Sequence, residues 1–156
     1  MLFSMLVDSV DERAEKGDRF IIRFFLIVRL GELCLGDLTH HLRLSREKRE
    51  AALDEFSKGR YTVVGDLVLK AVEQAIEAVA SKESKHFHAN PRTAHALRTK
   101  WAKENFPEIA ADLDAVWSAY GDLGYDGLDG ARAKEAVDAL ERIFNAIEKR
   151  SGIRFR

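Results

Sequence analysis

Apolar residues recur at helical spacing along most of the chain. Tyr61, Val64, Val68, Ala71, Val72, Ala75, Ile76 and Val79 form one stripe, which keeps its period for about five turns and predicts a long helix. Gly65 lies inside it at a propensity cost of about 1 kcal/mol relative to alanine, which predicts that another helix approaches closely there. Ahead of this stripe, Ser45 suits an N-cap, Glu47 and Glu50 suit the early turns, and Leu53 and Phe56 anchor an apolar face before Gly59. Beyond it, residues 81–89 are polar and read as a connection. Asn90-Pro91 then has the form of an N-cap with proline at the first helical position, opening a helix that turns Ala94, Leu97 and Trp101 inward. Pro107 opens another, with Ile109, Leu113, Val116, Trp117 and Tyr120 on its inner side. Gly121, Gly124, Gly127 and Gly130 predict a loop, and Ala133, Ala136, Val137, Leu140, Ile143, Phe144 and Ile147 predict a last helix stopped at Ser151-Gly152.

The first 44 residues follow a different pattern. Leu2, Phe3, Leu6, Val7 and Val10 suit a short amphipathic helix ending at Gly17. Residues 20–35 are rich in aromatic and β-branched side chains, yet Phe20, Phe24, Phe25 and Val28 also match a helical stripe, and helix is the reading adopted. This run includes Arg23, Arg29 and Glu32 and is shorter than the roughly 20 residues needed to cross a bilayer, so a buried core element is expected and a membrane partner is not. Gly36, Asp37 and Thr39 then read as a turn before His40 and His41. The predicted fold is all-α: an antiparallel up-and-down bundle of four to five core helices over residues 45–156, with residues 1–44 as an apolar helical extension packed on the bundle or on a dimer partner. Leu2, Phe3, Phe20, Phe24 and Phe25 add more apolar stripe than such a bundle readily covers, which predicts a homodimer.

Composition narrows the function classes. Of 156 residues, 46% are hydrophobic and 33% charged, which fits one domain with a real core. With 25 basic against 26 acidic residues there is no global field to draw the protein onto nucleic acid, so any polyanion site must be local. The single cysteine, Cys34, cannot close an intrachain disulfide, and a cytoplasmic location is expected. The apolar first residues precede Asp8, Asp11 and Glu12 without a basic stretch, the wrong order for a secretory signal.

The stretch from Glu55 through Gly59, Gly65 and Ala71 to Ala80, a short helix, a glycine-containing turn and a long alanine-rich helix, resembles the first helix pair of the HEPN superfamily, in particular its archaeal paralogous HEPN-like proteins. The resemblance continues through residues 86–106 and the helix, loop and helix of residues 107–150, covering about two thirds of the chain. It implies an up-and-down bundle that pairs with itself or with a partner through helix faces, a nucleotidyltransferase-like protein encoded nearby being one such partner, and a relationship to toxin–antitoxin proteins. Ribonuclease members carry an arginine followed closely by a histidine near the end of the helix matching residues 107–120. Residues 117–130 contain neither, Arg132 is the nearest arginine, and no histidine follows Ala96. No catalytic residue carries over.

Candidate chemistry gathers in residues 82–103. His86 and His88, one residue apart, could reach a common zinc with His95 from the next helix, but the set has no acidic or cysteine ligand beside it, and neither a metal nor another cofactor is assigned. Lys85, His86, His88, Arg92, His95, Lys100 and Lys103 are the candidate residues for an anion or RNA, with Lys82, Arg98 and the aromatic Phe87 and Trp101 among them. The competing expectation pairs this basic segment with the acidic residues from Glu108 to Asp129. The aspartates of residues 122–130 fail as a calcium loop, since Gly124 and Ala133 occupy ligand positions. The function expected is a non-catalytic helical interaction module; the alternative is an RNA- or nucleotide-acting enzyme of HEPN type using residues 82–103.

Overall fold

The computed structural model describes residues 37–127 and 129–156. The expected helices of residues 2–35, the burial of residues 20–35 and the setting of Cys34 lie outside the described residues. Within them there are five α-helices and no strand: α1 (Leu38–Ser57), α2 (Tyr61–Ser81), α3 (Ala94–Asn105), α4 (Ala110–Gly121) and α5 (Gly130–Ser151). Single turns of 3₁₀ helix at Phe87–Ala89 and Pro107–Ile109 and a π-helical turn at Asp122–Asp126 join them. The all-α bundle expected from the apolar stripes is the architecture observed.

α1 and α2 make an antiparallel hairpin through residues 58–60, where Gly59 takes the left-handed conformation (φ 71°) that a β-carbon disfavours. Three cross-contacts set its register: Phe56 lies against Tyr61, the Ser45 hydroxyl donates to the Ala71 carbonyl at 2.9 Å, and His41 meets Gln74. α1 begins at Leu38, so Ser45 is not its N-cap. Asp37 takes that role, its side chain accepting from the His40 N–H at 2.8 Å, and the turn expected at Thr39 is helix. The helix therefore runs through the position at which the apolar pattern starts the bundle, because an Asx cap outranks a serine whose hydroxyl is needed between helices.

α4 and α5 form a second antiparallel pair, tied along its length by Glu108 to Arg150, Asp112 to Arg142 and Asp122 to Arg132. α2 runs through the centre, where Val64, Val68, Ala71, Val72, Ala75, Ile76, Ala78 and Ala80 are buried against Leu113, Val116, Leu140, Ile143, Phe144 and Ile147. The chain after Gly152 returns to this core: Phe155 is fully buried with its ring 5.2 Å from that of Phe144, and its N–H donates to Glu148. The glycine run of residues 121–130 is less of a loop than its composition suggests. Leu123 is fully buried from the π-helical turn, Asp122 pairs with Arg132, and Asp129 caps α5 by accepting from the N–H groups of Ala131 and Arg132. These roles account for two of the aspartates.

Gly65 packs against the backbone of α4, where an added β-carbon would meet the Ala119 carbonyl oxygen at 3.0 Å and the Tyr120 α-carbon at 3.2 Å. The close approach expected from sequence is present. Gly65→Ala should gain about 1 kcal/mol of helix propensity yet lose about 1–3 kcal/mol by overpacking against backbone that has no rotamer to yield, for a net loss on thermal melting. A melting temperature raised by this substitution would show that α4 moves aside at no cost.

Candidate functional site

The polar centre of the bundle begins with two carboxylates on the inner face of α2. Glu73 and Glu77 stand four residues apart, hence one above the other on the same face. Glu73 is buried and Glu77 retains no exposed surface. An ionised carboxylate withdrawn from water persists only with a partner, and Arg98 from α3 supplies it. Its Nη1 donates to Glu73 Oε1 at 2.6 Å, while Nε and Nη2 donate to Glu77 Oε1 at 3.0 and 2.8 Å. Arg98 is itself only 5% exposed.

This network decides which face of α3 turns inward. Arg98, Trp101, Ala102 and Ala94 are buried, whereas Leu97, expected inside, is 48% exposed. The apolar pattern of α3 is overridden because a guanidinium satisfying two buried carboxylates is worth more than the burial of one leucine side chain, about 1.5–3 kcal/mol. The helix also starts later than Asn90-Pro91 predicts. Residues 91–93 are turn, Thr93 is the N-cap position, and the Asn90 side chain accepts only from the Arg92 N–H.

The connection between α2 and α3 folds back over Glu77. It leaves α2 through Ser84, a non-glycine residue in the left-handed region (φ 56°). The N–H groups of Phe87 and His88 then donate to Glu77 Oε2 and Oε1 at 3.2 and 3.1 Å, and His88 Nδ1 lies 3.1 Å from Oε2. Burial pushes the Glu77 pKa up, but the hydrogen bonds and charge of Arg98, joined by those of His88, outweigh it and hold the carboxyl below its ordinary value.

Three imidazoles converge beside this carboxylate. The His41, His86 and His88 rings have centroids 5.1 to 6.4 Å apart, and one ligand atom from each of them and from Glu77 lies within 4.8 Å of every other. His41 is buried; His86 and His88 are half-buried. His41 Nδ1 lies 2.8 Å from the Gln74 amide oxygen. An amide oxygen only accepts, so in this bond Nδ1 is the donor.

The residues singled out in the sequence divide accordingly. His86 and His88 come together, but His95 does not join them: its Nδ1 bonds Glu73, and its ring stands edge-on to Trp117 at 5.3 Å. The histidine triad of His86, His88 and His95 is corrected to His41, His86 and His88, because α3 carries His95 to the far carboxylate. Lys85 pairs with Glu83 and lies over the Trp101 ring, Lys100 is 3.9 Å from Glu104, and Lys103 pairs with Asp114 at 2.6 Å. Arg92 is exposed, and among the described residues no carboxylate pairs with its side chain. The expected pairing of the basic segment with residues 108–129 reduces to Lys103; Arg132, Arg142 and Arg150 of α5 take the other acidic positions named above.

Sequence reasoning missed Glu73, Glu77, Gln74 and His41, and placed Arg98 only within the basic segment weighed for an anion or RNA. The available signal was two glutamates flanked by Val72, Ala75, Ile76 and Ala78 inside an otherwise apolar helix, which demand a cation from elsewhere in the fold.

Fold and site together define an all-α bundle built around a buried carboxylate–guanidinium–imidazole centre. No family model matches the chain, and no curated protein or solved structure matches it either.

Removal of Arg98 tests the centre. Arg98→Met should cost about 3–5 kcal/mol at neutral pH, since it leaves two buried carboxylates without their guanidinium. The pH dependence should also change sign. In the unaltered protein the stability that Glu77 contributes is whole above its unfolded value near 4.5 and is lost as pH falls through the depressed folded one. In Arg98→Met, burial acts on Glu77 without the guanidinium, so acidification from about pH 7 to about pH 5 should raise stability by protonating Glu77 in the folded state. Denaturant unfolding across that range, followed by circular dichroism, measures both effects; equal slopes in the two proteins would contradict them.

Proposed function

We propose that this chain is a non-catalytic helical interaction module of the cytoplasm, acting as a homodimer or beside a nucleotidyltransferase-like protein of the kind the HEPN resemblance implies. The observation that carries this reading is how the basic segment spends its charge. Arg98 is buried on Glu73 and Glu77, His95 and His88 face the same two carboxylates, and Lys85, Lys100 and Lys103 each have an acidic neighbour. Phosphate binding needs cations that are released to the ligand, and a cation held by a carboxylate gives up that pairing first. Among the described residues no helix is long and apolar enough to cross a membrane.

The outward face of α3 suits a second copy of this chain. Leu97 stands exposed at its middle, and alongside it runs an open depression lined by Ala96, Thr99 and Trp117 and edged by Lys100, Lys103 and Glu104. An apolar strip bordered by both charge signs is self-complementary: when two such helices cross antiparallel, the lysines of one meet the glutamate of the other.

Sedimentation of the full chain at micromolar concentration should give a dimer, and Leu97→Asp should weaken it about tenfold or more while the helical signal is retained. A monomer throughout, or a dimer indifferent to Leu97→Asp, would remove this face from the reading. RNA binding should be weak, and replacing Arg92, Lys100 and Lys103 together by neutral residues should leave its salt dependence unchanged. Binding that falls steeply with salt and is lost in the triple variant, or RNA cleavage lost on replacing His88 or His95, would instead establish an RNA-acting protein.

A further inference from the structure

We propose that His41, His86, His88 and Glu77 form a binding site for one divalent transition-metal ion of the zinc class, clamping α1, α2 and the connection after α2 together.

The ligand set comes from three separate parts of the chain. α1 contributes His41, the last turns of α2 contribute Glu77, and the connection contributes His86 and His88. Three imidazole nitrogens and one carboxylate oxygen are borderline donors that suit zinc, cobalt and nickel, whereas calcium and magnesium favour oxygen. Around a tetrahedral zinc with metal–nitrogen bonds of about 2.0–2.1 Å, ligand atoms lie about 3.4 Å apart and ring centroids about 5 Å apart. The observed centroid separations of 5.1, 5.9 and 6.4 Å and the 4.8 Å limit on ligand atoms are therefore one small contraction from that geometry. Side-chain torsions alone can supply it.

The surroundings hold these donors in place. Glu77 Oε1 is occupied by Arg98 Nε and Nη2, which fixes the carboxylate with Oε2 directed at His88 Nδ1. Gln74 holds the His41 ring at Nδ1 from 2.8 Å, the usual outer partnership of a metal-bound histidine. Four protein ligands complete a tetrahedron, so the ion is structural and needs no open position for chemistry, which is compatible with a non-catalytic module but does not depend on it.

The test uses the full chain purified without a histidine tag. Titration with Zn(II) should saturate at one equivalent per chain and raise the melting temperature, and Co(II) should give the intense visible absorption of a tetrahedral site. His41→Ala and His86→Ala should each weaken Zn(II) binding about tenfold or more and abolish the Co(II) bands, and Gln74→Leu should weaken binding while preserving the bands. His95→Ala, bonded to Glu73 outside the cluster, should leave stoichiometry and spectrum unchanged. Absence of the Co(II) bands in the unaltered chain would overturn the proposal whatever the variants do. So would stoichiometric Zn(II) binding that survives both His41→Ala and His86→Ala, or that is lost to the same extent in His95→Ala.

Discussion

The pairing of Arg98 with Glu73 and Glu77 is the constraint to which the rest of the polar architecture answers. Two glutamates on the central helix cannot remain ionised inside a hydrophobic bundle without a cation, and Arg98 is the one that reaches both. That demand rotates α3 until its arginine faces inward, at the expense of Leu97, which is turned toward solvent. It also orients the Glu77 carboxylate, so that the chain leaving α2 can dock its Phe87 and His88 N–H groups there. A buried ion pair of this kind is weak evidence for stability, since an apolar replacement of equal volume is often as stable. Its effect here is on geometry: it selects one rotation of α3 and one path for the connection.

From that geometry follow the two features on which the proposals rest. Outward, α3 carries an exposed leucine beside the depression at Trp117, bordered by lysine and glutamate. Inward, the returning connection brings His86 and His88 to His41. The same arginine thus underlies both the candidate docking face and the imidazole cluster, although it belongs to neither. Of the remaining basic residues of the segment, Lys103 pairs with Asp114 on α4, Lys85 and Lys100 have exposed acidic neighbours, and Arg92 has no carboxylate partner among the described residues.

The second helix pair shows the reverse economy. α4 and the turn after it are rich in acidic residues, and α5 answers with Arg132, Arg142 and Arg150 spaced along its length. These pairs are largely exposed, and exposed pairs of this sort contribute little individually. The pair is held by its apolar face, where Leu113, Val116, Leu140, Ile143 and Phe144 meet α2, and by Gly65, which lets α4 approach the central helix at backbone distance.

The sequence by itself determined the helical class, the central helix and most of the core, because apolar periodicity is local and survives in any window of the chain. The stop at Gly152 and the tight packing at Gly65 were legible for the same reason: each is a property of one residue's backbone freedom or size. What only the tertiary structure decided is which polar residues meet. Asp37 rather than Ser45 caps α1, since Ser45 is claimed by the Ala71 carbonyl across the hairpin. Arg98 displaces Leu97 from the interior because its two carboxylates lie on another helix. His41 joins His86 and His88 while His95 turns to Glu73, a grouping set by the hairpin register and by the return of the chain over Glu77. A carboxylate, an imidazole or a guanidinium has the same local pattern whether solvated or buried, and its partner comes from a distant part of the chain.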